Sequence, residues 1–170
     1  MRSILAAALA LALAGCTVYS SPKPVACPGT LVATLRFSSP IDLPGSTCAF
    51  AGDSNVTKQQ VGFTGEIFWD PSGTDAAICI PEPHAVPHVG TLTGDQLNVT
   101  FVNFGTAIPT CSCPVVITET IAGTLQLQGT EVTGFTGTMI DQVDADPAVS
   151  TPCGCVLPCV ISYAPFTGTP

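Results

Sequence analysis

Cys111-Ser112-Cys113 and Cys153-Gly154-Cys155, with Cys159 four residues further on, place five thiols in two short stretches of a 170-residue chain. Thiols this dense either ligate a soft metal such as zinc or copper(I), or close disulfides. Zinc sites usually put two or more residues between paired cysteines, and here there is one. No C-x-x-C occurs, so a thioredoxin-type redox pair has little support. Both histidines and one acid lie in Pro81-Glu82-Pro83-His84-Ala85-Val86-Pro87-His88. Two imidazoles and a carboxylate suit a metal. On a helix His84 and His88 would share a face, but three prolines forbid the helix, and the stretch reads as a rigid surface loop. Asp141, Asp144 and Asp146 read as an acidic loop after a strand. Carboxylates there could meet calcium, but the glycine and closing glutamate of a calcium loop are missing, so the reading is a solvated turn. His84, His88, Asp141, Asp144 and Asp146 are thus the residual metal candidates, and no metal or cofactor is expected.

Glu119 stands apart. It shares an alternating face with Val115, Ile117, Ile121 and Leu125. If that face is core, a carboxylate points inward, which requires a raised pKa or a partner and marks a possible pocket. The reading favoured from the pattern is instead an edge strand protected by an inward charge, or a bulge near Gly123 that turns Glu119 outward. Gly52-Asp53-Ser54 resembles the nucleophile block of the GDSL-type lipases and esterases. That family needs an α/β sheet and a later Asp-x-x-His, and neither His84 nor His88 has an Asp three positions before it. A serine without a positioned base is inert, so the segment reads as a turn. No catalytic residue is assigned.

The amino terminus says where the protein lives. Met1-Arg2-Ser3 is basic, Ile4 to Leu13 is an apolar run too short to span a bilayer, and Leu13-Ala14-Gly15-Cys16 follows. L-A-G-C resembles the lipobox of bacterial lipoproteins. The resemblance covers only residues 1–16. It implies cleavage before Cys16, acylation of Cys16, and a membrane-anchored product. Thr17, in place of Asp, leans toward the outer membrane by the same resemblance. The organisation expected is a removed signal over 1–15, a lipidated tether rich in Ser and Pro over 16–28, and one domain over 29–170.

That domain has enough chain for a real core. Hydrophobic residues make up 46% and charged ones 9%, which excludes intrinsic disorder for most of the length. Without Arg2 the mature chain keeps Lys23, Arg36 and Lys58 against twelve acids, a net charge of about −9. Such a surface repels nucleic acid. With Cys16 taken by lipid, eight cysteines remain: Cys27, Cys48, Cys79, Cys111, Cys113, Cys153, Cys155 and Cys159. An even number in an exported chain predicts four disulfides.

The elements that must position these groups are strands. Val, Ile, Thr and Phe alternate with period two over Leu31–Phe37, Val61–Trp69, Leu97–Val102, Val115–Ile121 and Leu125–Leu127. Ala76–Ile80, Phe135–Ile140 and Cys159–Tyr163 complete about eight. Turn residues between them, as in Thr93-Gly94-Asp95, imply antiparallel neighbours. Gly62-Phe63-Thr64-Gly65 echoes Gly134-Phe135-Thr136-Gly137, which suggests glycine where a strand bends or crosses a bulky neighbour. The fold expected is all-β, an antiparallel sandwich or small barrel, stapled by disulfides.

Cys111 and Cys113 lie on one face of an extended segment, as do Cys153 and Cys155, so two such segments side by side can form two bridges. At least two disulfides are therefore expected between Cys111–Cys113 and the Cys153–Cys159 cluster. One late cysteine then remains for Cys27, Cys48 or Cys79. The functional expectation is a non-enzymatic envelope lipoprotein that binds an unidentified protein or ligand or serves envelope structure. Alternatives are a small-molecule or lipid-binding barrel, and a hydrolase or metal-dependent enzyme.

Overall fold

A computed structural model describes residues 27–81, 87–150 and 152–170. Eight strands follow in chain order: β1 (Thr30–Asp42), β2 (Gln60–Trp69), β3 (Asp75–Cys79), β4 (Pro87–Thr93), β5 (Gln96–Ala107), β6 (Pro114–Gln128), β7 (Glu131–Ala145) and β8 (Cys159–Thr169). Each pairs antiparallel with the next, and β8 returns to β1, so the sheet closes into an up-and-down barrel. Closure decides between the two architectures the sequence allows, and it leaves no sheet edge.

Glycines on the inner face let the sheet coil tightly enough to close. Gly123 of β6 and Gly137 of β7 are register partners, and a Cβ on either would strike the backbone of the opposite strand. Gly65 and Gly168 leave the space that the Phe37 ring fills. The echoed Gly-Phe-Thr-Gly segments of β2 and β7 are thus one local solution used twice: an inward Phe, then an inward Gly. In β8 the register slips by one residue opposite Gly137/Met139, which keeps both Tyr163 and Phe166 facing inward.

Phe37, Phe63, Phe135 and Phe166 pack with ring centroids 5.3 to 6.1 Å apart and fill the middle of the barrel. Leu35, Ile67, Ile78, Leu97, Val99, Ile121 and Leu125 surround them, all buried. Inner positions are apolar over most of each strand.

Two strand assignments need correction. β6 is continuous from Pro114 to Gln128, where the pattern suggested two strands broken near Gly123. Its partners β5 and β7 carry the chain through the glycine. β4 was hidden by its prolines: Pro87 opens the strand, where a missing N–H is tolerated. His88 therefore lies in a strand, not in a surface loop. The total of eight holds because these two differences offset.

All short turns lie at one end of the barrel. The other end carries the long connections, 43–59, 80–86, 108–113 and 146–158. Three disulfides gather there: Cys48–Cys159, Cys111–Cys155 and Cys113–Cys153. The last two join the clusters as the side-by-side argument requires, and Cys159 takes Cys48. Cys27–Cys79 ties the segment before β1 to β3.

Candidate functional site

The inner face changes character toward the loop end. His88 of β4, Glu119 of β6, Asp141 of β7 and Tyr163 of β8 replace the apolar residues there. β6 lies between β5 and β7, and its register against β7 stays regular until Gln126/Leu127, well beyond Gly123. Neither the edge strand nor the bulge expected for Glu119 is present, so its carboxylate faces the interior.

His88 is only 3% exposed, and its Nε2 lies 2.5 Å from Glu119 Oε1, so the ring and the carboxyl group share one hydrogen bond. Phe101 packs against the imidazole at 5.3 Å between centroids. His88 Nδ1 is buried and has no partner among the described residues. Asp141 is the register partner of Glu119, which sets two acids side by side on adjacent strands. Its Oδ1 is likewise buried without a partner. Burial, then the Glu119 charge, push the Asp141 carboxyl up to about 7, against a smaller opposing pull from Lys58. Burial, then the charges of Asp141 and Glu119, raise the Tyr163 hydroxyl to about 12. Tyr163 therefore stays protonated at neutral pH.

A cavity of about 250 Å³ opens above these groups, lined by Lys58, Ile117, Glu119, Met139, Asp141 and Tyr163 among others. A neighbouring hollow of about 170 Å³ shares Lys58, Val61, Glu119 and Met139. Segment 43–59 roofs the cavity with Phe50, Val56 and Thr57. The roof is fixed in place. Thr47 and Cys48 donate their N–H groups to Val160 O, and Thr57 Oγ1 donates to Ala51 O at 2.7 Å. The Cys48–Cys159 bridge bonds the roof to β8.

Among the metal candidates, His84 lies outside the described residues, as does Cys16. Asp141 and Asp144 belong to β7, not to a loop after it, and they face opposite sides. Asp144 accepts from Gln142 Nε2 on the outer side, and Asp146 accepts from the Ala148 N–H in the following turn. Among the described residues, no three His, Cys, Asp or Glu side chains converge as a metal ion requires. The eight cysteines from Cys27 to Cys159 are all paired in disulfides. Ser54 is exposed in a turn where Asp53 Oδ1 accepts from the Asn55 N–H, the local bonding expected of such a turn.

Lys58 and Tyr163 were not singled out from sequence, and Asp141 was placed in a loop. The signal for two of them was present: Met139-Asp141-Val143 and Cys159-Ile161-Tyr163 both continue an inward alternation. Comparison with protein-family models, with curated proteins and with solved structures finds no match for the chain.

Proposed function

We propose that this chain is an exported, lipid-anchored and non-enzymatic binding protein whose barrel holds a small molecule in the loop-end cavity. The observation that carries the reading is the cavity itself. It joins apolar walls to converging polar groups with a displaced pKa, the usual makeup of a ligand site. About 250 Å³ lies below the range of drug-sized pockets, roughly 300 Å³ upward, so the occupant is small. An enzymatic role has less support, because His88 is buried and its Nε2 is engaged by Glu119.

The lipobox-like Leu13-Ala14-Gly15-Cys16 supports anchoring, and four disulfides suit an oxidising compartment such as the periplasm or the cell surface. Cys27 is bonded to β3, so a tether from Cys16 would end there. Replacing Cys16 by Ser is expected to abolish acylation and leave unprocessed precursor, read by mass spectrometry of the membrane fraction. An unmodified Cys16 thiol in the mature protein contradicts the anchor.

Thermal denaturation with added n-hexanol tests the cavity. A probe that binds only the folded protein raises its apparent stability with concentration. We expect Tm to rise at low millimolar probe, and the rise to vanish in Ile117→Trp, which fills the cavity. An equal rise in that variant, or none in the native protein, would count against the site.

A further inference from the structure

We propose that the loop-end cavity selects a small organic ammonium, a primary amine on a short aliphatic chain, seated between Glu119, Asp141 and Tyr163. The inference rests on the cavity reading above and names its ligand class.

Three features point to this chemistry. An ammonium has three N–H donors and no acceptor. Glu119, Asp141 and Tyr163 come from three consecutive strands and offer two carboxyls and a phenolic oxygen around one space. The remaining walls include Ile117, Met139 and Ile161, which suit a short alkyl chain.

Charge balance supplies the second argument. Glu119 and Asp141 are direct register partners inside the barrel. The basic groups near them are Lys58, which is exposed at the rim, and His88, whose Nε2 is committed to Glu119. Two carboxylates in such surroundings do not both stay charged without compensation. In the empty protein a proton on Asp141 provides it. That is why this carboxyl ionises only near neutral pH: burial, then the Glu119 charge, raise it to about 7 against the opposing pull of Lys58. A proton needs no space, yet the structure holds a cavity there. An ammonium would fill the space and take over the proton's electrostatic role. With two carboxyls and no third ligand placed for a metal among the described residues, an amine matches the donor set better than a bare metal ion.

Binding then competes with protonation of Asp141. The ammonium favours the carboxylate, so its affinity rises as pH increases from about 6 to about 8, and a proton is released on binding. Tyr163 keeps its proton throughout this range.

Isothermal titration of the purified protein with n-hexylammonium, n-hexanol and hexanoate tests the proposal. At about pH 8 the ammonium is expected to bind roughly tenfold or more tightly than the alcohol, and hexanoate more weakly than either. Glu119→Gln should weaken the ammonium by about tenfold and leave the alcohol nearly unchanged. At about pH 9, where Asp141 is ionised with or without Lys58, the exposed substitution Lys58→Ala should strengthen ammonium binding by removing a like charge. Alcohol and ammonium binding equally would overturn the ammonium inference while leaving the cavity reading in place. A Lys58→Ala protein with unchanged or weakened ammonium affinity would also overturn it. Binding of none of the three probes would remove both.

Discussion

Replacing Cys48 and Cys159 together by Ser is expected to cost the folded domain about 4 to 5 kcal/mol. The bridge spans 111 residues, the longest separation of the four. In the chain-entropy account its loss releases the largest loop of the unfolded ensemble, and the cost grows with the logarithm of that loop. The bridge also has a local task. It bonds segment 43–59 to the first residue of β8, and this segment roofs the cavity. Domains of this size are stable by roughly 5 to 15 kcal/mol, so the double variant sits near the limit of folding. Urea denaturation of both proteins gives the difference. Hydrogen exchange then tells whether the backbone donors of Thr47 and Cys48 to Val160 lose protection first. A loss under about 1 kcal/mol would show that non-covalent packing holds the roof and that the staple is redundant.

Asp141→Asn should make the protein more stable at pH 8 and less dependent on pH. Asp141 has an ordinary value of 3.8 and is pushed to about 7 in the folded state, first by burial and then by Glu119. The folded chain thus holds this proton more tightly than the unfolded chain. Its stabilising contribution is complete below pH 3.8 and disappears as pH rises through about 7. Above that range the native protein carries a half-buried carboxylate whose Oδ1 has no partner among the described residues. The displacement corresponds to on the order of 4 kcal/mol between the two limits. An amide of the same shape avoids that charge, with an expected gain on the order of 2 to 4 kcal/mol at pH 8, and loses the slope between pH 4 and pH 7. Guanidinium denaturation from about pH 4 to about pH 8 measures both. Equal slopes for the two proteins would mean that Asp141 ionises normally, and the charge argument for an ammonium would lose its footing.

Much of the barrel was legible because its code is local. Period-two alternation with turn residues between the runs marks strands wherever the inner face is apolar. It failed where the inner residue was polar or a glycine. β4 presents His88, Gly90 and Leu92 inward behind an opening proline, so its stripe is nearly invisible. Its turn, Thr93-Gly94-Asp95, was visible and required a strand on each side. Gly123 looked like a break because a glycine weakens an isolated strand, yet in a coiled sheet it permits the close approach of β6 and β7. The choice between sandwich and barrel depends on β8 meeting β1, at a pairing such as Arg36 with Thr169 that joins opposite ends of the domain and that no local pattern encodes.

The site was legible only in part for the same reason. Glu119 was visible as an acid on an apolar face, but whether it faced inward depended on its neighbours. His88 could be paired with Glu119 only once β4 was known to be a strand. Asp141 joins them through register, which sequence constrains weakly. The disulfides were more accessible, because the one-residue spacing in both clusters limits how two extended segments can be bridged.

Methyl NMR of the purified protein during titration with n-hexanol and n-hexylammonium tests the central claim, that a small molecule occupies the loop end of the barrel, most directly. The account predicts that the methyl signals of Ile117, Met139 and Ile161 shift together and saturate. Those of Leu92, Leu125 and Val132, at the short-turn end, should stay in place. Shifts confined to the short-turn end, or no saturable shift at Ile117, Met139 and Ile161 with either probe, would contradict it.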